Sequence, residues 1–324
     1  MRLRRLADTN VSVLLPVGGQ SPYLASCLDA LAAEIKAASD SGVTCETVIV
    51  LDRAWPTTER QCEAWAHLQE AALVLHSPQP GLVSALNYGL EHVSGTYTSR
   101  IDSDDLMLPG RLTDQVRRLD VDEGLVLVGG QMQRLCHDRV ISTTALPISH
   151  TEILRALLAG RHAINHSSIT VRTSALRELS GYWQEGFGED WDIYLRLARV
   201  GQVANLSSAT TAYRFHSGSI SAGHMTAVRE GIELALLNNR RWKRGQPLLS
   251  RRDLTWRRFL HLKLRARRNA LAQTMYRRHL CTRSNKVVYR ALLIAAGLLE
   301  PGTAISRVRA DRRHRSRPLH NEFH

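Results

Sequence analysis

Residues 96–105 read TYTSRIDSDD, an extended stretch that runs directly into three aspartates. This stretch closes a series in which strand-like and helix-like segments alternate. Short runs with the composition of strands cover residues 11–17, 46–52, 72–76 and 96–101. Apolar residues at helical spacing cover residues 23–38, 61–72 and 82–93. Because strands that alternate with helices of this length form right-handed βαβ units, the sequence predicts an α/β fold with a mostly parallel sheet.

The carboxyl ends of these strands are where a ligand is expected, because open parallel sheets bind ligands in the crevice beyond that edge. Three segments follow the strands there: residues 16–20, Asp52 with Arg53, and residues 102–105. Two of the three are acidic. The chemistry of the chain is therefore expected at this edge of the sheet.

The charge of the chain is divided between two regions. The 324 residues carry a net charge of +13, but residues 240–324 hold 23 Lys and Arg against 4 Asp and Glu, whereas residues 1–239 hold 20 against 26. The basic character therefore belongs to the C-terminal region and does not describe the substrate of the main domain. We predict one domain over residues 1–235, a basic amphipathic helical extension over residues 236–308 and a disordered tail over residues 309–324.

The cysteines and apolar runs indicate the compartment. Five cysteines are scattered without a C-x-x-C pair, which favours reduced thiols over a disulfide framework or a zinc site. The apolar run at residues 11–17 is too short for a signal sequence. The run at residues 287–299 contains Arg290 and is shorter than the roughly 20 residues of a spanning helix. We expect a cytoplasmic protein, either free or peripheral on the cytoplasmic face of the membrane.

Three carboxylates in the four residues 102–105 repel one another, and a bound cation would relieve that repulsion. Carboxylate oxygens suit Mg²⁺ or Mn²⁺, and a Mg²⁺-like ion takes one or two protein carboxylates together with substrate phosphates. The alternative is a turn whose aspartates cap a helix over residues 106–119. An EF-hand is excluded because Met107 and Thr113 occupy the positions of its glycine and glutamate.

Two further segments combine polar side chains with glycine. Asp190, in the segment GEDWD, precedes a helix predicted over residues 191–200. It is either the capping residue of that helix or a general base at the start of a cleft. His216 lies in YRFHSGSIS, residues 213–221, where the glycine and serines predict a mobile loop of the kind that often carries ligands or lids.

Six blocks of sequence occur in an order that is typical of one enzyme family. They are PGLVSALNYGL (residues 80–90), SGTYTSRIDSDDLMLPGRLTDQVRRL (94–119), LVLVGG (125–130), INHSSITVR (164–172), GYWQEGFGEDWDIYLRLARVG (181–201) and YRFHSGSIS (213–221). From about residue 11 to residue 221, the chain closely resembles the family 2 inverting glycosyltransferases of GT-A fold. The resemblance implies a Rossmann-like nucleotide-binding half, with a mostly parallel sheet flanked by helices.

The resemblance also implies roles for individual residues. Asp102 and Asp104 look like the Asp-x-Asp pair that holds a divalent metal, Mn²⁺ or Mg²⁺, together with the nucleotide. His216 resembles a late-loop residue that closes over the metal or the diphosphate, so the implied metal ligands are Asp102, Asp104 and His216. Asp190 matches the catalytic base of the family. The implied nucleotide-sugar-binding residues are Pro16, Val17, Asp52, Ser84, Asn87, Arg100, Asp102 and Ser103.

Two segments depart from the family pattern. After the second strand the chain reads LDRAWP, residues 51–56, where family members usually have Asp-Asp-x-Ser-x-Asp. The first strand ends in Pro-Val-Gly-Gly rather than Pro-x-Tyr-Asn. One acid, Asp52, remains for contact with the nucleotide base, and the sequence favours UDP.

The sequence therefore predicts an inverting, metal-dependent transfer of a sugar from a nucleotide-diphosphate sugar to an acceptor hydroxyl. The acceptor is expected to be a saccharide or a lipid-linked molecule in cell-surface polysaccharide or glycolipid assembly. A sugar nucleotidyltransferase or a dehydrogenase would need a glycine-rich phosphate loop of its own type after the first strand, and residues 17–22 lack both types. A catalytically inactive sugar-nucleotide-binding relative stays open.

The basic C-terminal region leaves three interpretations. Arginines beside Trp242, Trp256 and Phe259 suit the anionic headgroups of a cytoplasmic membrane leaflet, where a lipid-linked acceptor would be presented. A solvated helical extension and a nucleic-acid-binding segment are the alternatives. We expect no nucleic-acid partner, because nucleic-acid binding would not explain six ordered blocks in an acidic domain.

Overall fold

The computed structural model describes residues 9–136, 138–183, 186–214 and 224–249. Within these ranges the chain forms nine strands and eight α-helices. The strands are β1 (Val11–Gly18), β2 (Cys45–Asp52), β3 (Ala72–His76), β4 (Tyr97–Arg100), β5 (Leu106–Met107), β6 (Leu125–Cys136), β7 (Arg139–Thr143), β8 (Thr170–Arg172) and β9 (Gln202–Arg214). The helices are α1 (Leu24–Asp40), α2 (Pro56–His67), α3 (Leu82–His92), α4 (Arg111–Asp120), α5 (His150–Leu158), α6 (Thr173–Glu178), α7 (Glu189–Val200) and α8 (Met225–Trp242).

The nine strands of the described ranges form one sheet, with the order β3-β2-β1-β4-β8-β6-β9-β5 and with β7 paired to β6. Strands β3, β2, β1 and β4 are parallel neighbours, and β6 is parallel to β9. The other four pairs are antiparallel. The predicted α/β fold, with a parallel sheet in its first half and flanking helices, is confirmed. The antiparallel pairs lie in the second half, where the short segments of the sequence do not specify strand direction.

Two apolar cores cover the two faces of the sheet. Alternate residues of β1 point to opposite faces, so that Leu14 joins one core while Val13 and Leu15 join the other. The first core is completed by α3, α5, α6, α7 and α8. The second core is completed by α1, α2 and α4. The sheet is therefore the middle of three layers, and its carboxyl edge is left for the loops that follow the parallel strands.

The helix predicted over residues 106–119 begins only at Arg111, so the prediction is wrong at its start. The first two residues of that range form β5, which pairs with β9. Pro109 then disfavours a helical residue before it, and Gly110 has a left-handed φ of 81°. The carboxylate of Glu34, on α1, accepts hydrogen bonds from the backbone N–H of Gly110 and of the second helical residue, each at 2.8 Å. Tertiary contacts with β9 and α1 therefore decide where α4 starts.

Helix α8 packs against α7 and contributes to the first core. Its buried apolar residues are Ile232, Ala235 and Leu236. Gly231 allows a close approach, because a Cβ atom there would lie 1.8 Å from the carbonyl oxygen of Phe187. Residue 235, the predicted end of the domain, lies inside this helix. The predictions for residues 250–324 concern residues outside the described ranges.

Among the residues that the structure describes, no helix is both long and apolar enough to cross a bilayer.

Candidate active site

The acidic turn, residues 102–105, follows β4 at the carboxyl edge of the parallel strands. Carboxylate oxygens of Asp102, Asp104 and Asp105 lie within 4.8 Å of one another. Helix α4 begins at Arg111, several residues beyond the turn, so the aspartates do not cap it and the capping alternative is wrong. The three carboxylates instead converge on one volume at the edge of the sheet.

Asp102 is bound on both carboxylate oxygens by the buried guanidinium of Arg100. Nη1 donates to Oδ2 at 2.9 Å, and Nη2 donates to Oδ1. Burial alone would lower the pKa of Arg100, but the Asp102 carboxylate raises that pKa above its ordinary value. Burial raises the pKa of Asp102, and the charge of Arg100 opposes that rise. Arg100 therefore stays positively charged beside the turn and compensates the charge of Asp102.

Asp105, the last residue of the turn, is fully buried. Burial, together with the negative charges of Asp104 and Asp102, raises the pKa of Asp105 well above its ordinary value. Its Oδ1 accepts a hydrogen bond from the backbone N–H of Arg214 at 3.1 Å. Its Oδ2 makes no hydrogen bond of standard geometry within the described ranges, although the Ser167 hydroxyl lies nearby. A buried, unsatisfied oxygen among repelling carboxylates fits a hard divalent cation, which supplies both a partner and opposite charge.

Three acids stand in the first turn of α7: Glu189, Asp190 and Asp192. The residue that caps this helix is Gly188, with a φ of 88°, so Asp190 is not the capping residue. Asp192 forms a buried ion pair with Arg196 at 2.7 Å. Burial raises the pKa of Glu189 to about 8, and the neighbouring charge of Asp190 adds to this rise. Burial likewise raises the pKa of Asp190, which suits a group that must receive a proton near neutral pH.

Arg100 connects the two acidic segments, which are distant in the sequence. Besides burial, the positive charge of Arg100 lowers the pKa of Asp190 and the negative charge of Asp102 raises it. The predicted base and the predicted metal ligand therefore share one electrostatic environment. A metal ligand and a general base can serve one reaction only if the fold brings their two sequence segments together.

A buried polar cluster lies between the two acidic segments. The Nε2 atom of His166 lies 3.0 Å from the hydroxyl of Tyr182, and its Nδ1 atom lies 3.9 Å from the Glu189 carboxylate. Burial, together with the charge of Arg100, lowers the pKa of His166 well below its ordinary value, so the ring is neutral. The Tyr194 hydroxyl is buried and has no hydrogen-bond partner in the part of the chain that the structure describes.

The predicted nucleotide-binding residues Pro16, Val17 and Asp52 lie at the ends of β1 and β2. The two strands end side by side, since Val17 pairs with the residue before Asp52. Oδ2 of Asp52 accepts the backbone N–H of Gly81 at 2.9 Å, and Oδ1 accepts Nε–H of Arg53 at 3.1 Å. Asp52 therefore fastens the end of β2 to the residue before α3.

Two predicted nucleotide-binding residues lie on α3. The Ser84 hydroxyl is 3.1 Å from the hydroxyl of Ser77. The Asn87 amide is bonded to the backbone of Tyr182 in both directions: Oδ1 accepts the N–H, and Nδ2 donates to the carbonyl, each at 2.8 Å. Asn87 therefore fixes Tyr182 beside the buried polar cluster.

The remaining two predictions concern the turn and the late loop. The carbonyl of Ser103 accepts a hydrogen bond from the Ser21 hydroxyl at 3.2 Å, which ties the turn to the segment before α1. His216 lies outside the described residues, so its role as a metal ligand stays a prediction. The contacts with a nucleotide sugar also stay predictions.

Comparison with known proteins identifies the family. The sequence profile of "Glycosyl transferase family 2" matches residues 12–180, which is more than half of the chain. The chain belongs to glycosyltransferase family 2. The resemblance carried by the six sequence blocks is thereby confirmed, and the protein is a glycosyltransferase.

Relatives of this glycosyltransferase include AmsE of Erwinia amylovora, an amylovoran biosynthesis glycosyltransferase. It is 27% identical over 158 residues, which cover 48% of this chain and 59% of AmsE. Residues 1–349 of S. aureus TarS, in complex with UDP-GlcNAc, match with a TM-score of 0.54 and 17% identity, over 86% of this chain and 74% of that chain. The mannosyltransferase PcManGT from Pyrobaculum calidifontis, in complex with GDP-Man and Mn²⁺, matches with a TM-score of 0.53 and 16% identity, over 93% and 85%. The structural likenesses confirm the fold.

Sequence reasoning missed several groups of this glycosyltransferase site. His166 and Tyr182 lie within two of the six blocks, but nothing in the blocks shows that the two side chains meet. Glu189 stood beside the predicted base without a role of its own. A signal was present for each residue, since a polar side chain inside a buried, apolar block must find a partner.

We predict that Glu189 makes the stability of this glycosyltransferase fall as the pH rises from 4.5 to 8. The folded protein keeps a proton on Glu189 up to its pKa of about 8, whereas the unfolded chain releases it near the ordinary glutamate pKa of 4.5. The unfolded state therefore binds fewer protons in this interval, and the free energy of unfolding decreases with pH. Glu189→Gln removes this contribution, so its free energy of unfolding should decline less steeply than that of the wild type.

Urea unfolding of the two proteins at several pH values between 4.5 and 8 checks this prediction. The matched control is Glu178→Gln, which changes an exposed glutamate on α6 and should keep the wild-type slope. Equal slopes for the wild type and Glu189→Gln would contradict the raised pKa.

Proposed function

We propose that this glycosyltransferase moves a sugar from a nucleotide-diphosphate sugar to an acceptor hydroxyl in one displacement that inverts the anomeric configuration. The observation that carries the proposal is the connection between the two acidic segments: the backbone N–H of Asp102 donates to Ser167 Oγ at 3.0 Å, and the preceding residue, His166, lies 3.9 Å from the Glu189 carboxylate, next to Asp190. A metal-and-diphosphate site and a proton acceptor at one cleft are the two parts that a single displacement needs. No covalent sugar–enzyme intermediate is required.

Asp102 and Asp104 would hold a divalent cation, Mn²⁺ or Mg²⁺, with Asp105 beneath them and His216 as the further ligand that the sequence predicts. When bound, the cation would neutralise the negative charge that develops on the departing nucleoside diphosphate. The cluster of carboxylates within 4.8 Å and the unsatisfied Oδ2 of Asp105 support this assignment. Arg100 holds Asp102 in place through both carboxylate oxygens.

Asp190 would take the proton from the acceptor hydroxyl. Its Oδ1 accepts the backbone N–H of Trp191 at 2.7 Å, which holds the carboxylate at the start of α7. Burial raises the pKa of Asp190, so the carboxylate is more basic than an exposed aspartate. Pro16, Val17, Asp52, Ser84, Asn87, Arg100, Asp102 and Ser103 are the residues proposed for the nucleotide-sugar pocket.

We favour UDP as the nucleotide, because the sequence favours it and the TarS structure of similar fold contains UDP-GlcNAc. GDP is the alternative, since the PcManGT structure contains GDP-Man with Mn²⁺. For the acceptor, we propose a saccharide or a lipid-linked molecule in cell-surface polysaccharide or glycolipid assembly, which the relation to AmsE supports. A thermal-shift panel of nucleotides with and without Mn²⁺ tests the donor, because a ligand that binds only the folded state raises the melting temperature.

The competing function is a catalytically inactive relative that binds sugar nucleotides. It would show the same thermal shifts but would not hydrolyse or transfer the sugar. A sugar-nucleotide hydrolysis assay with Mn²⁺ separates the two functions.

We predict that Asp104→Ala lowers turnover by about 100- to 1000-fold while the melting temperature stays close to that of the wild type. The change removes a metal ligand rather than a core contact, and loss of one electrostatic stabiliser has an effect of this size. Turnover and Mn²⁺ binding are measured together. The control is Asp114→Ala, which removes a half-exposed aspartate of α4. Near-wild-type turnover by a folded Asp104→Ala variant would contradict the assignment of Asp104 as a metal ligand.

We predict that Asp190→Asn lowers turnover by roughly 100-fold or more and leaves donor affinity nearly unchanged, as loss of a general base should. Donor affinity and turnover at saturation are measured separately. The control is Asp192→Asn in the same helical turn, which breaks the buried pair with Arg196 and should cost about 3 kcal/mol of stability. If donor affinity collapses in Asp190→Asn while turnover at saturation survives, Asp190 contacts the nucleotide instead.

We also propose that the basic region from about residue 240 onward binds the anionic surface of a cytoplasmic membrane leaflet. Its charge of 23 basic against 4 acidic residues supports this role, with about 1 kcal/mol for each charge near the surface. A lipid-linked acceptor would be presented at that surface. Nucleic acid would attract the same charge, and a solvated extension would bind neither.

We predict that the full chain sediments with anionic liposomes and that a chain ending at Leu249 does not. The shortened chain keeps the whole of α8 and the hydrogen bonds of 2.8 and 2.9 Å between Asn238 and the backbone of Leu249. Truncation at residue 235 would cut α8 and confuse loss of binding with loss of folding. Equal binding by both chains, or no binding by either at moderate salt, would remove the membrane role.

A further inference from the structure

Arg214 is the last residue of β9 and the last described residue before the segment that contains His216. Its side chain is only 5% exposed, and arginine is rarely so fully buried without partners. Strand β9 pairs antiparallel with β5, the strand that follows the acidic turn. The sheet therefore brings Arg214 alongside residues 102–105.

The contacts of Arg214 converge on three elements. Its Nε donates to the carbonyl of Asp104 at 3.1 Å, and its backbone N–H donates to Oδ1 of Asp105 at 3.1 Å. Nη2 donates to the hydroxyl of Ser26 on α1 at 3.2 Å, and the guanidinium lies over the ring of Tyr23, 4.5 Å from its centroid. Nη1 pairs with the carboxylate of Asp138 on the β6–β7 connection. The guanidinium thus uses its planar set of donors to join all three elements.

The contact with Asp104 completes a pattern along the acidic turn. The three successive carbonyls of the turn each accept a hydrogen bond from a side chain. Cys27 Sγ donates to Asp102 at 3.4 Å, Ser21 Oγ donates to Ser103 at 3.2 Å, and Arg214 donates to Asp104. Because the carbonyls of Asp102, Ser103 and Asp104 are all held by side chains, this part of the backbone is restrained independently of a cation.

We propose that Arg214 is a positioning residue that pre-organises the acidic turn for a divalent cation. The inference rests on the proposed metal site. A turn that is already ordered loses less conformational entropy when the cation binds, so its affinity for the cation is higher. Arg214 acts through Asp104 and Asp105 and does not itself touch the substrate.

The test is the affinity for Mn²⁺ of the full-length chain, measured by electron paramagnetic resonance of free Mn²⁺ with UDP or GDP present. Arg214→Lys keeps the charge but loses the planar fork of donors. We expect its dissociation constant for Mn²⁺ to rise about 10-fold, which is typical for loss of a contact that orients metal ligands. Ser26→Ala removes one acceptor of the guanidinium and should give a smaller rise. It carries the test if Arg214→Lys fails to fold.

The matched control is Arg172→Lys. Arg172 ends β8 and pairs with Tyr97, the first residue of β4, at the end of that strand away from the turn. Arg172 has similar contacts: it donates to the carbonyls of Leu125 and Leu119 at 2.8 and 2.7 Å, and its guanidinium lies 5.6 Å from the centroid of the Tyr97 ring. We expect a comparable loss of thermal stability in this variant with unchanged affinity for Mn²⁺. Unchanged affinity in both Arg214→Lys and Ser26→Ala would overturn this inference alone. Failure of the wild type to bind Mn²⁺ would overturn the metal site and this inference together.

Discussion

The mutual repulsion of three carboxylates within 4.8 Å, next to a buried strand, is the constraint on which the rest of the site depends. Two arginines contact the acidic turn from different sides. Arg100 binds Asp102 on both oxygens, and Arg214 holds the carbonyl of Asp104. Asp105 remains with one buried oxygen that makes no hydrogen bond of standard geometry in the described ranges. Arg100 thus offsets part of the negative charge of the turn, and the charge that remains uncompensated can attract a cation.

Burying an arginine costs desolvation free energy, and hydrogen bonds to backbone carbonyls offset that cost. Arg111, at the start of α4, is fully buried and donates from Nη1 to the carbonyl of Ser167 at 2.8 Å and from Nη2 to the carbonyl of Arg100 at 2.6 Å. It therefore ties the end of β4 to the short helical turn at His166–Ser168. The same turn carries His166, whose Nδ1 atom lies 3.9 Å from the Glu189 carboxylate at the start of α7.

Most strands and helices of the first hundred residues could be predicted because they follow from local spacing, but the helix predicted over residues 61–72 lies at Pro56–His67, where proline occupies its first turn. The run at 72–76 forms β3 with the predicted bounds, and the run at 11–17 forms β1 with one added residue. The start of α4 could not be predicted, because Glu34 supplies its cap from a distant helix. In the same way, the role of Asn87 as a clamp on Tyr182 depends on two segments that are distant in the chain.

By itself, the sequence determined the α/β layering, the family and the two acidic segments, because periodicity and motif spacing are properties of neighbouring residues. Only the tertiary structure decided which charges meet. Arg100 and Asp190 share one environment, and Arg214 reaches back to a turn more than a hundred residues earlier, because the sheet order sets β4, β8, β6 and β9 side by side. Electrostatic interactions depend on distance in space, and the pairing of strands sets that distance.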